Sequence, residues 1–161
     1  MGTDGEILEF QMSPYAQDTN VSIARSKQEI ESMLKLRGAS QFASGWDETG
    51  GERIQFCLNK VTIRFTLPPM APESYGISKA GRQRNAEKSA KAKGQLERSR
   101  WRQLYLVIKA KLEAVDAGIS IYEEEFMAFV VMANGQTIGS VLTPRIQGGG
   151  RLALGDGKDN G

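Results

Sequence analysis

Two short runs joined by a two-residue loop constrain this chain more than any other feature. Ile54, Phe56 and Leu58 alternate with Arg53, Gln55 and Cys57; after Asn59-Lys60, Val61, Ile63, Phe65 and Leu67 alternate with Thr62, Arg64 and Thr66. Successive side chains on a strand point to opposite faces, so each run has one apolar and one polar side. A two-residue hairpin loop at Asn59-Lys60 sets the register. It pairs Leu58 with Val61, Phe56 with Ile63 and Ile54 with Phe65 on one wall, and Cys57 with Thr62, Gln55 with Arg64 and Arg53 with Thr66 on the other. The expected object is an antiparallel sheet covered on one side only. Phe42 and Trp46 bracket a first strand, Thr49-Gly50-Gly51 reads as a turn, and Pro68-Pro69 ends the third strand.

The apolar wall needs a cover, and the period changes to supply it. Ser26 and Glu29 fit a capping box, and Ile30, Met33 and Leu34 follow at helical spacing, predicting a helix from Lys27 to about Leu36 stopped by Gly38. From Ala86 helix formers dominate, interrupted by Gly94, which offers a bend. Trp101, Leu104, Tyr105, Ile108, Leu112 and Val115 then fall at offsets of 0, 3, 4, 7, 11 and 14, one face of a helix that Gly118 ends. Ser120 with Glu123 repeats the capping-box pattern before a short acidic turn. Phe126 to Ala133 reads as a buried strand, Asn134-Gly135 as a turn, and Thr137 to Leu142 as a return strand or a last short helix. The class is α+β: helix, three-stranded antiparallel meander, long amphipathic helix packed on the sheet, then a small C-terminal β/α appendix. The boundaries expected are an irregular arm over 1–20 with a short strand at Ile7 to Met12, one domain over 21–144 with a mobile basic loop at 69–85, and a disordered Gly-rich tail over 145–161.

Charge is distributed unevenly along this plan. Between Lys79 and Lys111 there are 11 basic residues against 2 acidic ones, which leaves 10 basic and 17 acidic residues elsewhere, although the whole chain is only +2. Concentrated positive charge attracts polyanions even on a nearly neutral molecule. The candidate phosphate-binding residues are Lys79, Arg82, Arg84, Lys88, Lys91, Lys93, Arg98, Arg100 and Arg102. The competing reading is a solubilising helix face preceded by a loop. Trp101 and Tyr105 lie on the packing stripe and are read as core. Arg53, Gln55, Arg64 and Thr66 are read as a solvated sheet face.

Other chemistry is narrowed by what is missing. With 0 histidines and 1 cysteine, Cys57, the sequence excludes Ser-His-Asp and Cys-His catalysis, histidine metal sites, multi-cysteine zinc sites and an intrachain disulfide. Glu113, Asp116, Glu123, Glu124 and Glu125 are read as helix-end electrostatics, not as a metal site. No catalytic residue, metal or cofactor is expected. No apolar run approaches the length of a membrane span, and the acidic start at Asp4, Glu6 and Glu9 does not fit a signal peptide, so a cytoplasmic protein without membrane contact is expected.

The order helix, three antiparallel strands, helix, with lysines in Glu87-Lys88-Ser89-Ala90-Lys91-Ala92-Lys93 at the last helix start, is similar to double-stranded RNA-binding domains. That resemblance implies phosphate bridging by these lysines. The chain departs from it at Thr49 to Gly51, which lacks the histidine-bearing loop, and in the longer linker from Pro68 to Asn85. Gln41-Phe42-Ala43-Ser44-Gly45-Trp46-Asp47, Ile63-Arg64-Phe65-Thr66-Leu67-Pro68 and Val107-Ile108-Lys109-Ala110-Lys111-Leu112-Glu113-Ala114-Val115 look like segments of small uncharacterised proteins of phage genomes and mobile elements. The expectation is therefore a non-enzymatic nucleic-acid-binding accessory protein in such a setting. The alternative is an inhibitor or adaptor that docks the same basic helix on a protein or nucleoprotein complex, for example one of host defence. A bend at Gly94 would also let copies of the chain associate.

Overall fold

The computed structural model describes residues 19–149; the strand expected at Ile7 to Met12 and residues 150–161 of the tail expected over 145–161 lie outside the described residues, whereas 145–147 are the last residues of a helix. Helix α1, Ile23–Leu36, starts one turn before the capping box predicts. Ser22 is its cap: its hydroxyl accepts the Arg25 amide at 3.1 Å. Ser26 lies inside the helix with its side chain buried, so it does not cap, and Glu29 turns instead to Arg25 and Arg102. Gly38, at φ +88°, closes the helix in the left-handed conformation that glycine adopts freely.

Strands β1 (Gln41–Trp46), β2 (Glu52–Leu58) and β3 (Val61–Leu67) form an antiparallel sheet in the order β1-β2-β3. The hairpin register is the expected one: Leu58 faces Val61, Phe56 faces Ile63 and Ile54 faces Phe65. Asn59 and Lys60 have φ of 52° and 64°, the pair of left-handed residues that a two-residue loop of matching twist requires. The segment expected as a mobile basic loop at 69–85 has local structure. It contains α2 (Glu73–Gly76) and an isolated bridge between Ile77 and Gln83. The Arg84 amide donates to the Gly76 carbonyl at 2.8 Å, and its guanidinium to the Tyr75 carbonyl at 2.9 Å.

Asn85 caps α3 by accepting the Lys88 amide at 2.9 Å, and α3 then runs as one helix, Ala86–Asp116, through Gly94. The remaining elements are α4 (Tyr122–Phe126), a 3₁₀ turn (Met127–Phe129) and α5 (Ile138–Gln147). The second capping box is not formed, because Ile121 occupies the cap position of α4 and no side chain bonds there. Nor is Phe126 to Ala133 a strand. Phe126 and Phe129 are three residues apart and both reach Phe65, a spacing that a 3₁₀ turn satisfies and an extended chain does not. Only single bridges follow, Ile63 with Val130 and Val131 with Thr137. The last element is a helix capped by Thr137, whose hydroxyl accepts the Ser140 amide at 3.2 Å, and it continues past Pro144.

These elements form the expected α+β fold, arranged in two compact units. One comprises residues up to Ile30 and Met70–Lys109, the other Glu31–Pro69 and the chain from Ala110. In the first, Ile30, Trp101 and Ile108 are fully buried, and Lys27 Nζ lies 4.3 Å from the centre of the Trp101 ring. In the second, Phe65 stacks on Phe129 at 4.0 Å and on Phe56 at 6.4 Å, with Phe126 edge-on to Phe56 and Phe65 at 6.3 Å. The final turns of α3 belong to this unit, where Leu112 is buried. The polar side of the sheet does more than meet water. Arg64 donates to Gln55 Oε1 at 3.0 Å and to the Gly135 carbonyl at 2.8 Å, fixing the Asn134-Gly135 turn.

Two substitutions check this account. Lys60→Gly removes the cost of holding a lysine at positive φ and is expected to stabilise the fold by about 0.5 kcal/mol, read as a higher denaturant midpoint. A Cβ on Gly139 would stand 2.7 Å from the Ala128 carbonyl oxygen, so Gly139→Ala is expected to destabilise by about 1–2 kcal/mol despite better helix propensity.

Candidate nucleic-acid interface

The nine candidate cations all lie in the first unit, but they divide by what their side chains do. Arg84 is half-buried and ties the chain before α3 to Tyr75. Lys93 stands 5.7 Å from the Tyr75 ring centre and 4.0 Å from Glu97. Arg98 donates to Gln95 at 2.5 Å, and Gln95 in turn donates to the Thr19 carbonyl at 3.1 Å. Arg100 is half-buried and also engaged. Arg102 donates from Nη1 to Glu29, and its guanidinium carbon lies 4.2 Å from the centre of the Tyr105 ring. These five residues thus have partners.

The other four differ. Lys79, Arg82, Lys88 and Lys91 are exposed, and among the described residues their side chains make no ion pair or hydrogen bond. Lys79 and Arg82 sit at the turn where the Gly81 amide meets the Ser78 carbonyl at 2.8 Å. Gly81 makes that turn possible at φ +72°. Lys88 and Lys91 are three residues apart on α3 and share a face. Their position works against local electrostatics, since a helix N-terminus carries partial positive charge and Lys88 lies in the first turn. An anion bound there would reverse the penalty.

Sequence reasoning missed two residues that shape this region. Tyr75 accepts from Arg84 and faces Lys93, and Lys27 covers Trp101. The Tyr75–Lys93 and Lys27–Trp101 contacts join different elements, so no local spacing signals them.

Several titratable groups elsewhere among the described residues have partners or are buried. The Tyr122 side chain is buried, and burial pushes its hydroxyl pKa far up, keeping it protonated. Asp116 accepts from Arg37 at 2.6 Å, and Glu125 pairs with Lys111 at 3.3 Å. The Ser120 hydroxyl and Lys111 lower the Glu125 pKa. Asp47 is held down by the Thr49 hydroxyl, by the Thr49 and Gly51 amides and by Arg53. Among the described residues no group of three acidic or cysteine side chains is placed to hold a metal ion, and no helix is long and apolar enough to cross a membrane.

Glu29 provides a check on the engaged set. Hydrogen bonds from Arg102 first and Arg25 second hold its carboxyl below the ordinary 4.5. A depressed carboxyl contributes stability that is complete above the unfolded value and is lost as pH falls through the folded one. In an NMR titration the Glu29 midpoint should lie below 4.5 and return towards it in Arg102→Gln, which should also flatten the acid side of the stability profile.

Compared with known proteins, the chain matches no family model, no curated sequence and no solved structure.

Proposed function

We propose that this chain binds the phosphate backbone of nucleic acid, without catalysing a reaction on it, as an accessory protein of a phage or mobile element. The setting rests on the sequence resemblance. The binding reading rests on one observation: four exposed cations, Lys79, Arg82, Lys88 and Lys91, have no partner among the described residues, while the basic side chains around them are engaged. Unpaired lysines at the start of a helix cost stability, and a polyanion is the ligand that repays the cost by releasing its counterions. Three of the four are lysines, which contact phosphate as point charges and lack the planar fork that reads base edges. The preference is therefore for charge density over sequence.

The salt dependence of binding tests this. If all four cations contact phosphates, the logarithm of affinity for duplex DNA should fall with the logarithm of salt at a slope of about −3.5. Lys88→Ala with Lys91→Ala should make that slope shallower by about 2, uniformly across sequences. Absence of binding to single- or double-stranded DNA or RNA at low salt overturns the reading. So does a stoichiometric protein partner that remains after nuclease treatment and is lost with the same substitutions.

A further inference from the structure

Among the described residues, the sheet ends at β1, which pairs with β2 on one side and has no strand beside it on the other. The opposite margin differs, because the Val131 amide donates to the Thr62 carbonyl of β3 at 2.8 Å. A strand with an open margin is usually protected by charge, proline or a bulge that turns it away. Gln41–Trp46 contains no charge and no proline.

The backbone has a defined outward side. Asp47 and Gly51 are opposite each other, and the Asp47 amide donates to the Gly51 carbonyl at 3.0 Å. Hydrogen-bonded positions alternate along an antiparallel ladder, so Gly45, Ala43 and Gln41 face β2. The amides and carbonyls of Phe42, Ser44 and Trp46 face outward. The same three residues share one face of the sheet, because Phe42 lies opposite Phe56 and Ser44 opposite Ile54. That is the apolar face, yet Trp46 on it is 80% exposed.

We infer that β1 pairs antiparallel with β1 of a second copy of this chain, joining two sheets across a two-fold axis at Ser44. Such an axis stands perpendicular to the sheet and keeps both apolar faces on one side. Centred on Ser44, it uses all three outward residues and sets Phe42 opposite Trp46 of the second copy, twice by symmetry. Centred on Ala43 it leaves Trp46 without a partner, and centred on Gly45 it leaves Phe42 without one. On the other face Ala43 meets Gly45, where neither side chain obstructs the approach. Beside Phe42 lies an open cleft lined by Leu34, Lys35, Ala39 and Ser40, next to the position that the second copy's indole takes. Cross-strand aromatic pairs are among the strongest sheet contacts, and an uncharged strand meets its copy without like-charge repulsion. Self-complementarity in this register is the reason to name a second copy rather than a foreign peptide.

Sedimentation velocity on the nuclease-treated full chain tests the pairing. The expected species has twice the 17.7 kDa chain mass. Ser44→Lys places two ammonium groups side by side at the axis and should weaken association at least about tenfold. Trp46→Ala removes both aromatic pairs and should weaken it about 100-fold. Ser44→Pro deletes only an outward amide, leaving the bonds to β2 intact, and should also give monomers. All three should keep the far-ultraviolet circular dichroism of the parent, since Ser44 and Trp46 are exposed. A chain that stays monomeric at every concentration overturns the inference, whether or not β1 accepts an extended peptide from another protein. A dimer untouched by Ser44→Lys and Ser44→Pro overturns it as well.

Discussion

The packing around Phe65 is the contact on which the sheet-bearing unit depends. Its ring stacks on Phe129 at 4.0 Å and meets Phe126 edge-on at 6.3 Å, so one strand residue recruits the segment that follows α4. Each such pair contributes about 0.5–1.5 kcal/mol beyond area burial. With that segment anchored, the bridge from Ile63 to Val130 becomes local and Arg64 reaches the Gly135 carbonyl. Ala128 is then presented to Gly139 of α5. The C-terminal elements thus follow from an aromatic contact with β3, not from strand pairing of their own.

Arginine and lysine are used differently across the chain, and the difference defines the candidate interface. Arg37 grips Asp116 through Nε at 3.1 Å and Nη2 at 2.6 Å, and Arg64, Arg84 and Arg102 each join distant segments through a planar guanidinium. A fork with several fixed donors suits that work. Lysine, a hydrated point charge on a flexible stem, loses more by being fixed, and most of the cations without a partner are lysines. Arginines thus join Asp116, Gly135, Tyr75 and Glu29 to other segments, while Lys79, Lys88 and Lys91 stand exposed beside Arg82. The proposed preference for phosphate density over base sequence rests on the three lysines among those four cations.

What the sequence revealed follows the range of the interactions involved. The hairpin was legible down to each cross-strand pair because its register depends on residues that are neighbours in sequence and on the left-handed pair Asn59-Lys60. Of the stripe from Trp101 to Val115, Trp101, Leu104, Ile108 and Leu112 are buried and were legible for the same reason, a helical period written locally, while Tyr105 and Val115 are half-buried at its edge. The start of α1 was misplaced because Ser26, a good cap by type, is taken into the interior, and Ser22 is left to cap. Phe126 to Ala133 misled because a run of apolar residues does not state whether its period is two or three; Phe65, far away in sequence, decides it. At the candidate interface the number of cations could be counted in advance. Which of them are already engaged depends on Glu29, Tyr75 and Gln95, and only the tertiary structure shows that.

The two proposed contacts, if both form, are linked by mass action. A dimer joined at β1 would carry two sets of Lys79, Arg82, Lys88 and Lys91, and a polyanion long enough to reach both would bind it more tightly than it binds either copy alone. Linkage then requires the polyanion to strengthen the dimer by the same factor. That coupling is geometric in origin and requires no change of shape in either copy. It also makes the basic turn and the uncharged strand separable by chemistry. Salt weakens phosphate contact directly, whereas pairing through backbone amides and aromatic rings is largely indifferent to it. At high salt the proposed β1 contact would therefore persist without nucleic acid, and at low salt the two would reinforce each other.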